Sequence, residues 1–146
     1  MPPNPKADIG LDAFREASMA FDSVYGMLAK ATGLSEPEYW SLVLIHHGVV
    51  TQREISEQLC LSRQTLNSAF KLLIRKGLLR LEPFENNQRS KQAILTDEGA
   101  RFVEEHIIRM EHLEEQAWQT LLDEEKAALI RLTHQFSNAL RQLLQT

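Results

Sequence analysis

Residues 51–77, TQREISEQLCLSRQTLNSAFKLLIRKG, constrain the fold more than any other part of the chain. They read as a short helix, a tight turn and a second helix. Thr51 and Glu54 stand at the spacing of a capping box, in which the Thr hydroxyl accepts from the backbone three residues on and the Glu returns a bond. Ile55 and Leu59 follow at helical spacing. Cys60 and Leu61 break the pattern, Ser62 can cap a new helix, and Gly77 is a natural left-handed stop after Lys76.

At about 100° per residue, the second helix has two contrasting sides. Leu66, Phe70, Leu73 and Ile74 fall on one side and are the expected core face. Gln64, Asn67, Ser68, Lys71 and Arg75 fall on the other, with amides and a hydroxyl first, cations later and no carboxylate. Arg63 projects nearer the core side, but in the first turn its long side chain can reach forward. Base edges are read by Arg, Asn, Gln and Ser/Thr, and phosphates are held by Lys and Arg. A helix-turn-helix puts the start of its second helix into the major groove. Arg63, Gln64, Asn67 and Ser68 are therefore expected on bases, and Thr65, Lys71 and Arg75 on phosphates. Gln52, Ser62 and Lys91 complete the expected DNA-facing set.

Residues 78–82 and 91–95 alternate like strands, and residues 83–90 between them read as a polar loop with Arg89 near its tip. Two strands so joined after a recognition helix make a winged helix. A lone Arg on a wing suits the narrow, electronegative minor groove.

Taken together, EYWSLVLI, SRQTL, LLIRKGLL and NQRSKQAILTDEG make the chain resemble the MarR family of transcriptional regulators over nearly all its length. The resemblance implies a mainly α fold: a winged helix-turn-helix with a two-stranded β wing, and N- and C-terminal helices interlocked as a dimerisation region. On that reading residues 1–34 are a tail and dimerisation helix, 35–96 the DNA-binding domain and 97–146 the C-terminal dimerisation helices. It also implies a pocket between the dimer helices and the winged domain, often for aromatic or phenolic compounds. Tyr25, Tyr39, Phe102 and His106 are the residues that would line it. Three positions depart from the family pattern. Asn87 stands where an Asp usually precedes the wing Arg by two, Leu81 where Arg is common, and Cys60 where the turn often has Gly.

The net charge of −4 is unusual for a DNA binder, but it is unevenly spread. Residues 51–96 hold eight basic against four acidic side chains, and the rest of the chain holds eight against sixteen. A basic face on an acidic body allows electrostatic docking while limiting indiscriminate binding.

Pro2, Pro3 and Pro5 read as a loose tail. Leu11, Phe14, Ser18, Phe21, Val24 or Tyr25, and Leu28 then form one helical stripe. Ser35, with Pro37 and two Glu behind it, opens a helix carrying Tyr39, Trp40, Leu42, Val43 and Ile45, with Trp40 expected in the core. Thr96 caps a long helix whose stripe runs through Phe102, Val103, Ile107, Met110, Leu113, Ala117 and Leu121. The last helix starts at or near Asp123, with Leu129, Leu132, Phe136, Leu140 and Leu143 close to a seven-residue pattern. A winged unit of 46 residues is marginal alone, and the outer helices carry more apolar surface than it can cover. A twofold homodimer would bury that surface and present two recognition helices to two half-sites of an operator.

A single cysteine excludes an intramolecular disulfide and fits a reducing cytoplasm. No signal peptide or membrane-length apolar run is present, so a cytoplasmic protein is expected. No cofactor, metal or catalytic set is expected. Nucleotide, phosphate-loop, metalloprotease and nucleophile-elbow motifs are missing. His106 and His112 are six apart and point away from each other on an α-helix. Cys60 precedes a capped helix but lies away from the first helix, where peroxide-sensing members of the family keep theirs. The expected function is a ligand-responsive repressor binding a pseudo-palindromic operator as a homodimer. The alternatives are a winged-helix protein–protein module and a zinc- or redox-sensing regulator of the same fold.

Overall fold

The computed structural model describes residues 8–146; the three tail prolines lie outside the described residues. The elements run α1 (Leu11–Ala31), α2 (Glu36–His46), α3 (Gln52–Leu59), α4 (Arg63–Arg75), β1 (Leu79–Phe84), β2 (Asn87–Leu95), α5 (Asp97–Phe102), a π turn (Val103–Ile107), α6 (Ile108–Trp118) and α7 (Asp123–Leu144). The described residues fall into two compact units, the first ending at Ile108 and the second running Arg109–Thr146.

In the first unit α2 is the central element. Glu38, Tyr39, Ser41, Leu42, Val43 and Ile45 are all buried, so it has no single wet face. It packs against α1, α3, α4, β2 and the π turn. Its start is held by a full capping box: Ser35 Oγ accepts from Glu38 N, and Glu38 Oε1 accepts from Ser35 N. The buried Ser41 hydroxyl donates to Pro37 O at 2.6 Å. Tyr39, Leu42, Ile55, Leu66, Phe70, Leu73, Leu79, Val103 and Ile107 form the core around it. Trp40 is only half-buried, its ring against Tyr25 and Tyr39.

The helix-turn-helix forms as its caps predict, with differences of detail. Thr51 Oγ1 accepts from Glu54 N at 3.2 Å, which is the half of the expected box that forms. Cys60 takes the left-handed conformation (φ 54°). Ser56 then grips the turn from both sides, its hydroxyl donating to Leu61 O while its carbonyl accepts from Leu61 N. Ser62 Oγ accepts from Thr65 N at 3.1 Å, and Gly77 (φ 77°) ends α4. On the core side of α4, Ala69 is buried, whereas the expected Ile74 is 41% exposed. Ile74 lies about 80° around the helix from Leu66, which puts it at the margin of the apolar face.

The wing differs from the expected loop. β1 and β2 pair antiparallel out to Phe84 and Asn87, so that only Glu85 and Asn86 turn the hairpin. Pairing is regular from Leu79↔Leu95 to Pro83↔Lys91, then jumps to Phe84↔Asn87. Residues 88–90 are therefore a bulge in β2. Pro83, which lacks the N–H a ladder needs, sits where the register breaks. A bridge between Thr51 and Gln92, with Ala93 N donating to Val50 O at 2.7 Å, ties the wing to the start of α3.

Thr96 joins the wing to α5. Its hydroxyl donates to Gly77 O and accepts from Gly99 N, capping α5 while holding the end of α4. The long helix expected from residue 97 is interrupted: residues Val103–Ile107 form a π turn between α5 and α6. One residue inserted into the turn rotates the downstream stripe, which a uniform 3.6-residue count does not anticipate.

In the second unit α7 begins at Asp123, its first turn held by Glu125 Oε1 accepting from Leu122 N at 2.8 Å. None of its residues is buried. Leu129, Leu132, Leu140 and Leu143 are each about half exposed or more. Among the described residues no helix is long and apolar enough to cross a membrane.

Candidate nucleic-acid interface

α4 sets out its polar side chains because its other side is fixed in the core by Leu66, Ala69, Phe70 and Leu73. Arg63, Gln64, Thr65, Asn67, Ser68, Lys71 and Arg75 are all exposed. No acidic residue lies anywhere in the helix. Arg63, which the projection placed nearer the core, also faces solvent.

Local bonds decide what some of these groups can offer. The Ser62 and Thr65 hydroxyls lie 2.9 Å apart, so both serve the cap as well as the surface. Ser68 Oγ donates to Gln64 O at 3.1 Å, which leaves its lone pairs directed outward as an acceptor. Gln52 Nε2 donates to Asn67 Oδ1 at 2.8 Å, joining the first residue of α3 to the middle of α4.

Two hollows flank this contact. One, of about 220 Å³, is lined by Gln52, Arg53, Ser56, Arg63, Leu66 and Asn67. The other, of about 560 Å³, lies between α3 and the wing, lined by residues 51–54, Glu57 and the wing residues Arg89, Ser90 and Lys91. The expected Gln52, Arg89 and Lys91 are thus brought together, as are Gln52, Arg63 and Asn67. Arg53 lines both hollows and is not among the expected DNA-facing residues. Its signal in the sequence is its place beside Gln52 in the first turn of α3. Part of its charge is taken by Glu57 at 3.1 Å on the exposed surface, a pair of small energetic worth. Arg80 is similarly occupied by Glu82.

Arg89 stands in the β2 bulge, and Asn87 shapes that bulge. Asn87 Oδ1 accepts from Arg89 N at 3.1 Å, and Asn87 Nδ2 donates to Ser90 Oγ at 3.2 Å. An Asn two residues before the Arg has the spacing of a side-chain-to-backbone turn, and that spacing is the bulge's signal in the sequence.

The four residues expected around an effector are placed as follows. Tyr39 is 2% exposed and belongs to the core of the first unit. Tyr25 stacks edgewise on Phe21 and tilts against Trp40. Phe102 and His106 form a separate ring pair, 4.6 Å between centroids, across the start of the π turn. None of the four lines either hollow. Among the described residues, no three His, Cys, Asp or Glu side chains are grouped to hold a metal ion.

Comparison with known proteins places this geometry. Residues 32–90 match the model of the MarR family. The organic hydroperoxide resistance transcriptional regulator of Bacillus subtilis (strain 168) is 30% identical over 84 residues, 57% of each chain, so the match spans little more than half of that relative. The MarR family regulator NMB1585 of Neisseria meningitidis superposes with a TM-score of 0.80 at 18% identity, over 92% of this chain and 96% of that one. BpsR of Bordetella bronchiseptica, whose DNA binding is regulated by 6-hydroxynicotinic acid, superposes with a TM-score of 0.69 at 17% identity, over 94% and 98%. The winged-helix part of the chain is thus similar in sequence to the MarR family model over residues 32–90, and nearly the whole chain shares the fold of NMB1585, a MarR family regulator.

Proposed function

We propose that the protein is a sequence-specific DNA-binding repressor that grips a pseudo-palindromic operator as a homodimer. The observation that carries this reading is the carboxylate-free, exposed outer face of α4, with the Arg89 bulge on the adjoining wing. Amides and hydroxyls near the helix start suit base edges, and Lys71 and Arg75 further along suit phosphates. The apolar stripes support a twofold partner. Met19, Val24 and Met27 on α1, and Leu129, Leu132, Leu140 and Leu143 on α7, are exposed on helices that each exceed 20 residues. Residues 1–34 and 97–146 would then supply the dimer contacts and 35–96 the DNA contacts. A small aromatic acid is the class of effector we favour, since DNA binding by the similar BpsR is regulated by 6-hydroxynicotinic acid. Such a ligand would act by changing the distance between the two recognition helices.

The test is selection of bound fragments from the source genome with the purified protein, alongside its mass in solution by sedimentation. A dimer that enriches fragments sharing one inverted repeat, with half-site centres about one DNA turn apart, is the expected result. A monomer, or enrichment without a shared repeat, overturns the reading.

A further inference from the structure

The bond between Gln52 and Asn67 limits what Asn67 can offer a base. A primary amide carries one acceptor oxygen and two N–H donors. A free Asn can use both ends at once, and the pairing that results, oxygen to adenine N6 and nitrogen to adenine N7, is its usual base preference. Here Gln52 Nε2 donates to Asn67 Oδ1 at 2.8 Å, which occupies one of the oxygen's two lone pairs and holds that oxygen toward Gln52, while both Nδ2 hydrogens stay available. The two residues are 15 apart in sequence, so the bond is made by the helix-turn-helix fold and not by one helix. It lies at the edge of the hollow shared by Gln52, Arg53, Arg63 and Asn67, whose charged lining groups are guanidinium, which donates and does not accept. The guanidinium groups add no acceptor for the Asn67 N–H groups, and the Ser56 hydroxyl in the same lining is engaged as a donor to Leu61 O.

We propose that Gln52 is a positioning residue that locks Asn67 as a donor, so that Asn67 reads an acceptor edge, guanine O6/N7 or thymine O4, in place of adenine. The assignment rests on the proposed DNA-binding reading and refines it at one base pair per half-site. Gln52 acts through Asn67, which is the member of the pair on the exposed face of α4.

The substitution Gln52→Glu inverts the device. A carboxylate only accepts, so it must take a bond from Asn67 Nδ2, which turns Asn67 Oδ1 outward toward donor edges, cytosine N4 or adenine N6. Gln52→Ala removes the lock and restores the two-ended amide. Gln52 is part-exposed and Asn67 exposed, so neither change disturbs the core; a thermal melt checks this.

Selection from randomised DNA with the full-length protein and its Gln52→Glu, Gln52→Ala and Asn67→Ala variants provides the test. Wild type is expected to choose G or T at one half-site position, and Asn67→Ala to lose that choice alone. Gln52→Glu is expected to move the choice to C or A, changing the ratio of the two bases by about tenfold or more, and Gln52→Ala to admit A. Three results overturn the proposal: Gln52→Glu and Gln52→Ala selecting the same base as wild type, wild type already selecting C or A at the Asn67 position, or wild type selecting no sequence at all. Only the last also removes the DNA-binding reading.

Discussion

Lys76 Nζ lies 2.7 Å from Glu38 Oε2, with the Glu38 side chain 3% exposed and the Lys76 side chain 41% exposed. The pair bolts the end of α4 to the first turn of α2, the central helix. The same carboxylate caps α2 through Ser35 N and Ser35 Oγ. Burial works against its charge, but the hydrogen bonds from Lys76 and Ser35 outweigh that, and its pKa lies below the ordinary 4.5.

The two partners should therefore be unequal when removed. Lys76→Met leaves a buried carboxylate without its cation, and should lower the unfolding free energy by about 2–3 kcal/mol. Glu38→Gln keeps most of the hydrogen bonds and frees an ammonium that water already reaches, and should cost about 1 kcal/mol. Urea unfolding at pH 7 measures both; equal losses count against the asymmetry. The folded pKa of Glu38 is lowered, so its contribution is present above the unfolded value and is lost as pH falls through the folded one. The acid side of the stability curve should accordingly flatten in Glu38→Gln.

Gly99 is placed where a side chain cannot go. A Cβ there would lie 1.9 Å from Leu78 O, a backbone atom with nowhere to retreat. The close approach exists because Thr96 pulls the start of α5 onto the end of α4. Gly99→Ala should cost about 2–4 kcal/mol, read as a lowered denaturation midpoint. A midpoint within error of wild type would show that this joint yields.

Cys60 holds a left-handed conformation that any side chain makes costly, by about 1–2 kcal/mol. Cys60→Gly removes that strain but gives up some chain entropy, so a net gain of about 0.5–1 kcal/mol is expected. Cys60→Ala, which keeps the Cβ, should not gain. Parallel denaturation of the two variants separates the conformational effect from any role of the thiol.

Residues alone announce the features that short-range rules govern. Ser35, Ser62, Thr96 and Gly77 mark the helix ends because a cap needs only its own turn, and the outward face of α4 comes from helical period. The features that escape depend on partners distant in sequence or on residues inserted into a regular period. The Glu38–Lys76 bond spans 38 positions and Gln52–Asn67 spans 15, and neither has a local signature. The π turn at Val103–Ile107 and the wing bulge at residues 88–90 break the period on which pattern reading relies. Ile74 is a milder case: at the margin of the apolar face, period alone does not decide which side of the boundary it takes.

The wing supplies the last prediction. Arg89 is carried by a bulge that leaves it outside the β ladder, and the backbone there is held by the Asn87 side chain. Were Arg89 to enter the minor groove, Arg89→Ala should weaken operator binding by about 1–3 kcal/mol, relaxing the preference at flanking A·T positions and leaving the centre of each half-site unchanged. Asn87→Ala keeps the guanidinium but frees the bulge, and should weaken binding by about 1 kcal/mol while leaving thermal stability near wild type, because Asn87 is exposed. Titrations of both variants on the selected operator at two salt concentrations, with footprints, give the comparison. If affinity and footprint are unchanged in Arg89→Ala, the wing does not touch DNA. If only Asn87→Ala is silent, the ladder alone positions Arg89 and the side-chain brace is incidental.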